Sequence, residues 1–144
     1  MTRKDELHYS AKHPAGTTYD EQVAAAIKEK AVDGRITCAD AFVVVQELSV
    51  PPSEVGKTID LIEYRITRCQ LGLFGYSPKK KVVEPAEEAP EGVRGQLNRF
   101  SSDGTISCAA CWKIADTLGM ERMAVSAVCE LLGLKVQPCQ LGAF

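Results

Sequence analysis

The chain has 144 residues, a hydrophobic fraction of 45% and a formal net charge of −2. These values are ordinary for a globular protein, and no apolar run approaches the roughly 18 residues that a membrane span requires. The first 17 residues lack the apolar core of a signal peptide, so we expect a cytoplasmic protein with no membrane partner. The absence of a surplus of positive charge disfavours nonspecific binding to nucleic acid.

An internal repeat is the most informative feature of the sequence. Residues 33–74 recur without a gap at residues 103–144, and 13 of the 42 aligned positions are identical. The shared residues include an Asp-Gly pair at 33–34 and a Cys-Gln-Leu-Gly run at 69–72. A repeat of this length defines the folding unit. Units of about 50 residues are marginal alone, so we expect the copies to pack on each other or on a partner.

Helix signals begin after a polar N-terminal segment. Residues 1–17 show no periodicity, and we expect a disordered tail that carries His8 and His13 in solvent. Thr18 and Glu21 have the spacing of a capping box, which predicts that the first helix begins there. We expect this helix to end at Asp33-Gly34.

Two further helices follow in each copy. Thr37 in copy 1, like Ser107 in copy 2, is the expected N-cap of the second helix, and Ser53 is the expected cap of the third. Apolar positions at helical spacing predict the buried faces. On the second helices they are Cys38, Ala41, Phe42, Val45, Leu48 and Cys108, Cys111, Trp112, Ala115, Leu118. On the third helices and the segments that follow they are Val55, Ile59, Ile62, Ile66 and Val125, Cys129, Leu132, Val136.

These patterns predict a mainly helical fold with short β-strands. The first repeat would occupy residues 18–76 and the second residues 91–144. The two repeats would pack as a pseudo-symmetric pair. Residues 77–90, rich in proline, lysine and glutamate, have the composition of a solvated linker.

Copy 2 resembles the helix-turn-helix pattern of the winged-helix superfamily. The resemblance rests on a small residue at Ala115, the turn Leu118-Gly119-Met120, and the branched anchors Val125 and Val128. Copy 1 keeps the frame with Val45, Leu48, Ser49, Val50 and Val55. The resemblance implies two winged-helix-like modules, each with three helices and a small β-ribbon. The third helix of each module would enter the major groove of DNA.

The resemblance implies a small cytoplasmic transcriptional regulator that binds double-stranded DNA mainly through copy 1. Copy 1 has room for a second wing strand, and the lysine run at residues 79–81 would give that strand positive charge. The implied DNA contacts are Ser53, Lys57, Thr58, Arg65, Arg68, Lys79, Lys80 and Lys81. The corresponding helix face of copy 2 carries Met123, Ala124, Ser126 and Ala127, and is better suited to burial against protein.

A non-enzymatic adaptor is the alternative function, because a fold of this type also serves for docking. Copy 2 would then bind a protein partner, or a second copy in a homo-oligomer such as a dimer. An enzyme is not expected, and neither is a cofactor, since the sequence has no phosphate-cradling glycine loop and no Ser/His/Asp constellation.

The cysteines leave three interpretations open. Cys38 and Cys69 belong to copy 1, and Cys108 and Cys139 to copy 2, and each pair would meet if the strands flanking the second and third helices pair. The thiols would be buried packing groups, a redox pair, or part of a shared four-thiolate metal site. Cys108 and Cys111 have the CxxC spacing, but on a helix this spacing directs both thiols toward the core side, so it does not support a metal site. No metal site is predicted.

The Cys-Gln-Leu-Gly segments carry two further expectations. Leu71 and Phe74, like Leu141 and Phe144, would fill the core or the groove of a partner. Gln70 and Gln140 would reach across to the other copy, because a buried glutamine needs hydrogen-bond partners.

Overall fold

A computed structural model describes residues 9–144, so His8 lies outside the described residues. In this part of the chain the fold is mainly helical with short strands, as predicted. A 3₁₀ helix, Tyr9–Lys12, precedes the repeated elements. The elements of copy 1 are α1 (Glu21–Lys30), β1 (Arg35–Thr37), α2 (Cys38–Leu48), α3 (Pro52–Leu61) and β2 (Arg65–Thr67). Those of copy 2 are α4 (Glu91–Phe100), β3 (Thr105–Ile106), α5 (Cys108–Leu118), α6 (Arg122–Leu132) and β4 (Lys135–Val136).

Each copy forms a two-stranded parallel sheet. β1 pairs with β2, and β3 pairs with β4, which confirms the expected pairing of the strands that flank the second and third helices. Parallel strands require a long crossover connection, and here two helices provide it. Residues 75–90 contain no strand, so the expected room for a second wing strand is not used.

The shared Asp-Gly pair forms a turn and does not cap a helix. α1 ends at Lys30 with Ala31 as its C-cap, which corrects the predicted end. Asp33 and Gly34 both have positive φ, 51° and 74°, and two backbone hydrogen bonds join Val32 to Arg35 across them. A two-residue turn with both central residues left-handed is a type I′ turn, for which Asp-Gly is a preferred sequence. The turn leads the chain directly into β1.

The predicted helix caps are correct for the second helices only. Thr37 Oγ1 accepts a hydrogen bond from the amide of Asp40, and Ser107 does the same for Ala110, both at 3.1 Å. The first helix is capped by Asp20, whose carboxylate accepts from the Gln22 amide at 2.7 Å, and not by Thr18. α3 begins at Pro52 without a side-chain cap, so the prediction for Ser53 was wrong.

The buried faces agree with the predicted stripes at most positions. Val55, Ile59 and Ile66 are buried in copy 1, as are Val125, Cys129 and Val136 in copy 2. On α2 the buried position is Val44 where Val45 was predicted, and on α5 Leu118 is 36% exposed. The stripe on the second helices is therefore shifted toward Val44 and its counterpart Ile114, both almost fully buried.

The two compact units do not coincide with the two sequence copies. Unit 1 comprises the described residues up to Arg68 together with Leu141–Ala143, and unit 2 comprises Cys69–Gln140 with Phe144. Leu71, although it belongs to copy 1 by sequence, is completely buried in the core of unit 2. Each unit is therefore completed by a Leu-Gly segment from the other copy.

Part of the segment expected to be a solvated tail is structured. The carboxylate of Asp60 in α3 contacts Lys12 Nζ at 3.2 Å and His13 Nε2 at 2.9 Å. Glu63 accepts hydrogen bonds from the amides of Tyr9 and Ser10. Residues 9–13 therefore belong to the packing of unit 1. Among residues 9–144, no helix has the length and apolar character needed to cross a membrane.

Candidate functional site

Two arginines lie side by side on the sheet of unit 1. β1 and β2 have the same sequence, Arg-Ile-Thr, and they pair residue by residue, so that Arg35 is opposite Arg65 and Ile36 opposite Ile66. Both isoleucines are buried and both arginines are exposed. Because paired residues of neighbouring strands share a face of the sheet, both arginine side chains leave the same face. The two strands are about 4.8 Å apart. We call Arg35 and Arg65 the arginine pair.

The arginine pair carries charge that unit 1 does not neutralise. Within residues 9–144, neither side chain forms an ion pair or hydrogen bond. Like charges directly opposite each other on paired strands are destabilising. In unit 2 the same positions hold Thr105 and Lys135, a single cation. The arginine pair is therefore a feature of unit 1 alone, and a bound anion would offset its repulsion.

Two of the three DNA contacts implied on α3 are engaged within the unit. Thr58 is completely buried and its hydroxyl donates to the carbonyl oxygen of Glu54 at 2.8 Å. Lys57 Nζ forms an ion pair with the carboxylate of Glu54 at 3.0 Å. Ser53 is exposed in the first turn. The hydroxyl of Thr58 is therefore directed into unit 1, which does not fit its predicted role in DNA contact.

The remaining implied contacts follow the sheet of unit 1 in the chain. Arg68 is exposed directly after β2, and Lys79 and Lys80 are exposed in the linker. Lys81 Nζ lies 2.5 Å from a carboxylate oxygen of Glu130, in an ion pair within unit 2. Among the described residues 9–144, the side chains of Lys79 and Lys80 have no ion pair, and Lys81 is paired.

Other segments of the chain contact the third helix in both units. In unit 1, a Cβ atom added at Gly56 of α3 would lie 1.7 Å from the carbonyl oxygen of Leu141. In unit 2, the carbonyl oxygen of Ala127 accepts a hydrogen bond from the Ala86 amide at 2.9 Å, and Ser126 is completely buried. Ser126 of this face in copy 2 is thus buried within its own unit. In unit 2 the helix surface that the resemblance assigns to the major groove is in contact with another segment of the chain, whereas in unit 1 the contact is at Gly56.

The cysteines fit the interpretation of buried packing groups. Cys38 belongs to unit 1, whereas Cys69, Cys108 and Cys139 belong to unit 2. All are buried except Cys139, which is partly buried. Burial raises the pKa of Cys69 and raises that of Cys108 to about 11. At Cys108 burial therefore outweighs the thiolate stabilisation expected at the start of α5.

A second thiol pair occupies the crossing of α5 and α6. The sulfur atoms of Cys111 and Cys129 are 4.0 Å apart, and both residues are almost completely buried. The shared hydrogen bond, together with burial, raises the pKa of Cys111. Copy 1 has Ala41 and Ile59 at these positions, a small and a large residue in place of two of intermediate size. The pair therefore has a packing role. Among residues 9–144, no group of three or more potential ligands is placed to hold a metal ion.

The buried Cys108 thiol predicts a loss of stability at high pH. The folded chain holds the proton of Cys108 up to a pKa of about 11, whereas an exposed thiol titrates near 9.0. Below pH 9 this stabilisation of the folded chain is complete. Between pH 9 and 11 the unfolded chain releases its proton first, so the free energy of unfolding falls by up to about 3 kcal/mol. Urea unfolding under reducing conditions at pH 8 and pH 10.5 should show a smaller loss for Cys108→Ala than for the unaltered protein. Equal losses would contradict the assignment.

The two glutamines of the repeated segments differ in their partners. Gln70 Oε1 accepts a hydrogen bond from Arg122 at 3.4 Å, so this residue of copy 1 reaches copy 2 as expected. Arg122 also lies over the ring of Trp112, 3.6 Å from its centroid. Gln140 donates to the sulfur of Cys108 at 3.4 Å, within its own copy. The expectation is confirmed for Gln70 and is wrong for this contact of Gln140.

Sequence analysis identified Arg65 and missed Arg35. The missed signal is the tripeptide Arg-Ile-Thr, which occurs at residues 35–37 and again at residues 65–67. Identical tripeptides on strands expected to pair indicate that equivalent side chains could face each other. Direction and register, which determine that Arg35 is opposite Arg65, come only from the structure.

Known proteins place no further constraint on these assignments. Comparisons of the chain with protein-family models, with curated proteins and with solved structures return no match.

Proposed function

We propose that the protein is a small DNA-binding regulator that holds the phosphate backbone through the arginine pair of unit 1. The observation that supports this function is the alignment of Arg35 and Arg65 on adjacent parallel strands, exposed and without an ion pair in residues 9–144. Guanidinium groups bind phosphate oxygens in a planar, two-pronged geometry. Arg68, exposed directly after β2, is the additional contact of unit 1 in this proposal. The exposed Lys79 and Lys80 belong to unit 2 and are proposed as contacts of that unit.

Each unit is, in this proposal, a winged-helix-like module. The order of helices and strands, and the pairing of the strand before the second helix with the strand after the third, support it. The strands are parallel and no wing strand follows in residues 75–90, so the sheet itself presents the positive charge. Because α3 is in contact with the Leu141 segment, phosphate contacts would dominate over contacts with base edges.

Binding should depend strongly on salt and on the arginine pair. Fluorescence anisotropy of a labelled duplex at several salt concentrations would compare the unaltered protein with Arg35→Gln/Arg65→Gln. Loss of two phosphate contacts should reduce the slope of log K against log salt by about 2. We expect at least a tenfold weaker affinity at 50 mM salt, as roughly 1.4 kcal/mol corresponds to a factor of ten.

A matched control separates these contacts from net charge. The variant Lys28→Gln/Arg94→Gln removes two exposed cations that lie on the helices α1 and α4 and not on β1 or β2. It should keep a slope close to that of the unaltered protein. Equal slopes for the sheet variant and the unaltered protein would contradict the proposed site.

Protein docking is a second candidate, favoured by the covered third helices. The close approach of Leu141 to Gly56 and the hydrogen bond between Ala86 and Ala127 place another segment of the chain against each helix. The module would then serve as an adaptor or dimerisation unit. Failure of duplex DNA to bind at 50 mM salt, together with a stable dimer in size-exclusion chromatography, would favour this function over DNA binding.

A further inference from the structure

Unit 2 contains a cavity of about 510 Å³ at the end of α6. Its walls come from the last turn of that helix, from β4, and from Leu73 and Phe144. This volume lies within the range of small-molecule sites, which is roughly 300 to 1,000 Å³. The cavity is separate from the arginine pair, which belongs to unit 1.

One side of the cavity is apolar and aromatic. Leu73, Leu134 and Val136 line it, and Val136 is 92% buried, with 8% of its surface exposed. The ring of Phe144 is 42% exposed and packs edge-to-face on Phe74, with centroids 5.7 Å apart and planes at 87°. A flat aromatic group entering the cavity would extend this arrangement and cover apolar surface.

The charged groups of the cavity leave one cation unmatched. Lys81 and Glu130 neutralise each other in their ion pair. Lys135 is exposed and, within residues 9–144, has no ion pair. Gln137, two residues further along, is exposed and can donate a hydrogen bond. The polar side of the cavity is therefore suited to an anion.

The same place in unit 1 keeps a cation, Arg65 at the position of Lys135, but it carries more negative charge and is filled. Glu130 corresponds to Asp60 and Gly133 to Glu63, so unit 1 has two carboxylates there. They bind Lys12, His13 and the amides of the 3₁₀ helix. In unit 2 one carboxylate is replaced by glycine and the other is paired with Lys81. This part of unit 1 thus binds a cationic segment, whereas the corresponding part of unit 2 carries more positive charge.

We propose that the cavity of unit 2 binds a small aromatic carboxylate. The ring lies on Leu134 and Phe144, and the carboxylate is held by the ammonium group of Lys135 and the amide of Gln137. This binding does not depend on the proposed function of unit 1, so the two can fail separately.

Three isosteric probes test the charge and the apolar wall separately. Isothermal titration calorimetry would measure 3-phenylpropionate, 3-phenylpropan-1-ol and 3-phenylpropylamine against the full chain. The carboxylate should bind about tenfold more tightly than the alcohol, and the amine most weakly. Lys135→Gln should remove the advantage of the carboxylate over the alcohol, whereas Lys113→Gln, on exposed α5 surface, should keep it.

A second variant tests the aromatic wall. Phe144→Ala should weaken the carboxylate and the alcohol by the same factor, and thermal unfolding would verify that each variant is folded. The proposal is overturned if none of the probes binds saturably at millimolar concentration, if the amine binds as tightly as the carboxylate, or if Lys135→Gln keeps the preference.

Discussion

Replacing Gly56 with alanine is expected to destabilise the protein by at least about 2 kcal/mol. An added Cβ would lie 1.7 Å from the backbone oxygen of Leu141, and a backbone atom cannot rotate away as a side chain can. Overpacking costs roughly 1 to 3 kcal/mol, occasionally more, and a contact of 1.7 Å with a backbone atom belongs at the upper end of that range. A helix-propensity gain of up to about 1 kcal/mol then leaves a net loss of about 2 kcal/mol or more. Urea unfolding followed by circular dichroism would measure the change.

Gly95 provides the matched control for this substitution. It lies within α4, and an added Cβ there would meet no atom within 4 Å. Gly95→Ala should therefore increase stability by up to about 1 kcal/mol through helix propensity alone. If Gly56→Ala were as stable as Gly95→Ala, the close packing of Leu141 on α3 would be wrong.

Leu71→Ala is expected to cost about 2 to 5 kcal/mol, the range for leucine truncation in a packed core. The side chain is completely buried among the core residues of unit 2, including Val93 and Leu97. Its removal leaves a cavity that the surrounding helices can fill only in part. Equilibrium unfolding in urea, with the midpoint and slope both fitted, would give the loss of free energy.

Leu131→Ala is the corresponding surface control. Leu131 lies on α6 in the same unit and is 40% exposed. Its truncation should cost less than about 1 kcal/mol, because folding buries less of the Leu131 side chain than of the Leu71 side chain. Similar losses for Leu71→Ala and Leu131→Ala would show that Leu71 is not a core residue.

Local signals predicted the helices and one class of cap correctly. Apolar spacing located the buried faces of α3 and α6, and Thr37 and Ser107 have the side chains and positions that N-caps require. The stripe on α2 was displaced by one residue, because Val44 and Val45 have the same side chain and only packing distinguishes them. The Asp-Gly pair was expected to end the first helix, whereas it forms a type I′ turn beyond the helix end.

The assignment of the Leu-Gly segments could not be predicted from the repeat. Identical residues at 69–72 and 139–142 indicate identical packing, but they do not specify which copy each segment joins. That choice depends on the path of the connecting residues, which have no periodic pattern.

The candidate site was predictable only in part, because charge and exposure are different properties. Arg65 was identified by its charge, and its exposure agrees with the proposal. Thr58 and Lys57 fell on the helix face implied by the resemblance, yet both hydrogen-bond to Glu54. The DNA-binding role of the whole set stays a prediction, tested by the arginine-pair variant above.

Native-state hydrogen exchange of Leu71→Ala and Leu141→Ala tests most directly whether each unit is completed by the segment of the other copy. Leu71→Ala should reduce the protection of amides in α5 and α6 more than in α2 and α3, because Leu71 lies in the core of unit 2. Leu141→Ala should show the opposite pattern, since Leu141 belongs to unit 1. If each substitution instead affected mainly the helices of its own sequence copy, the assignment of the segments would be contradicted.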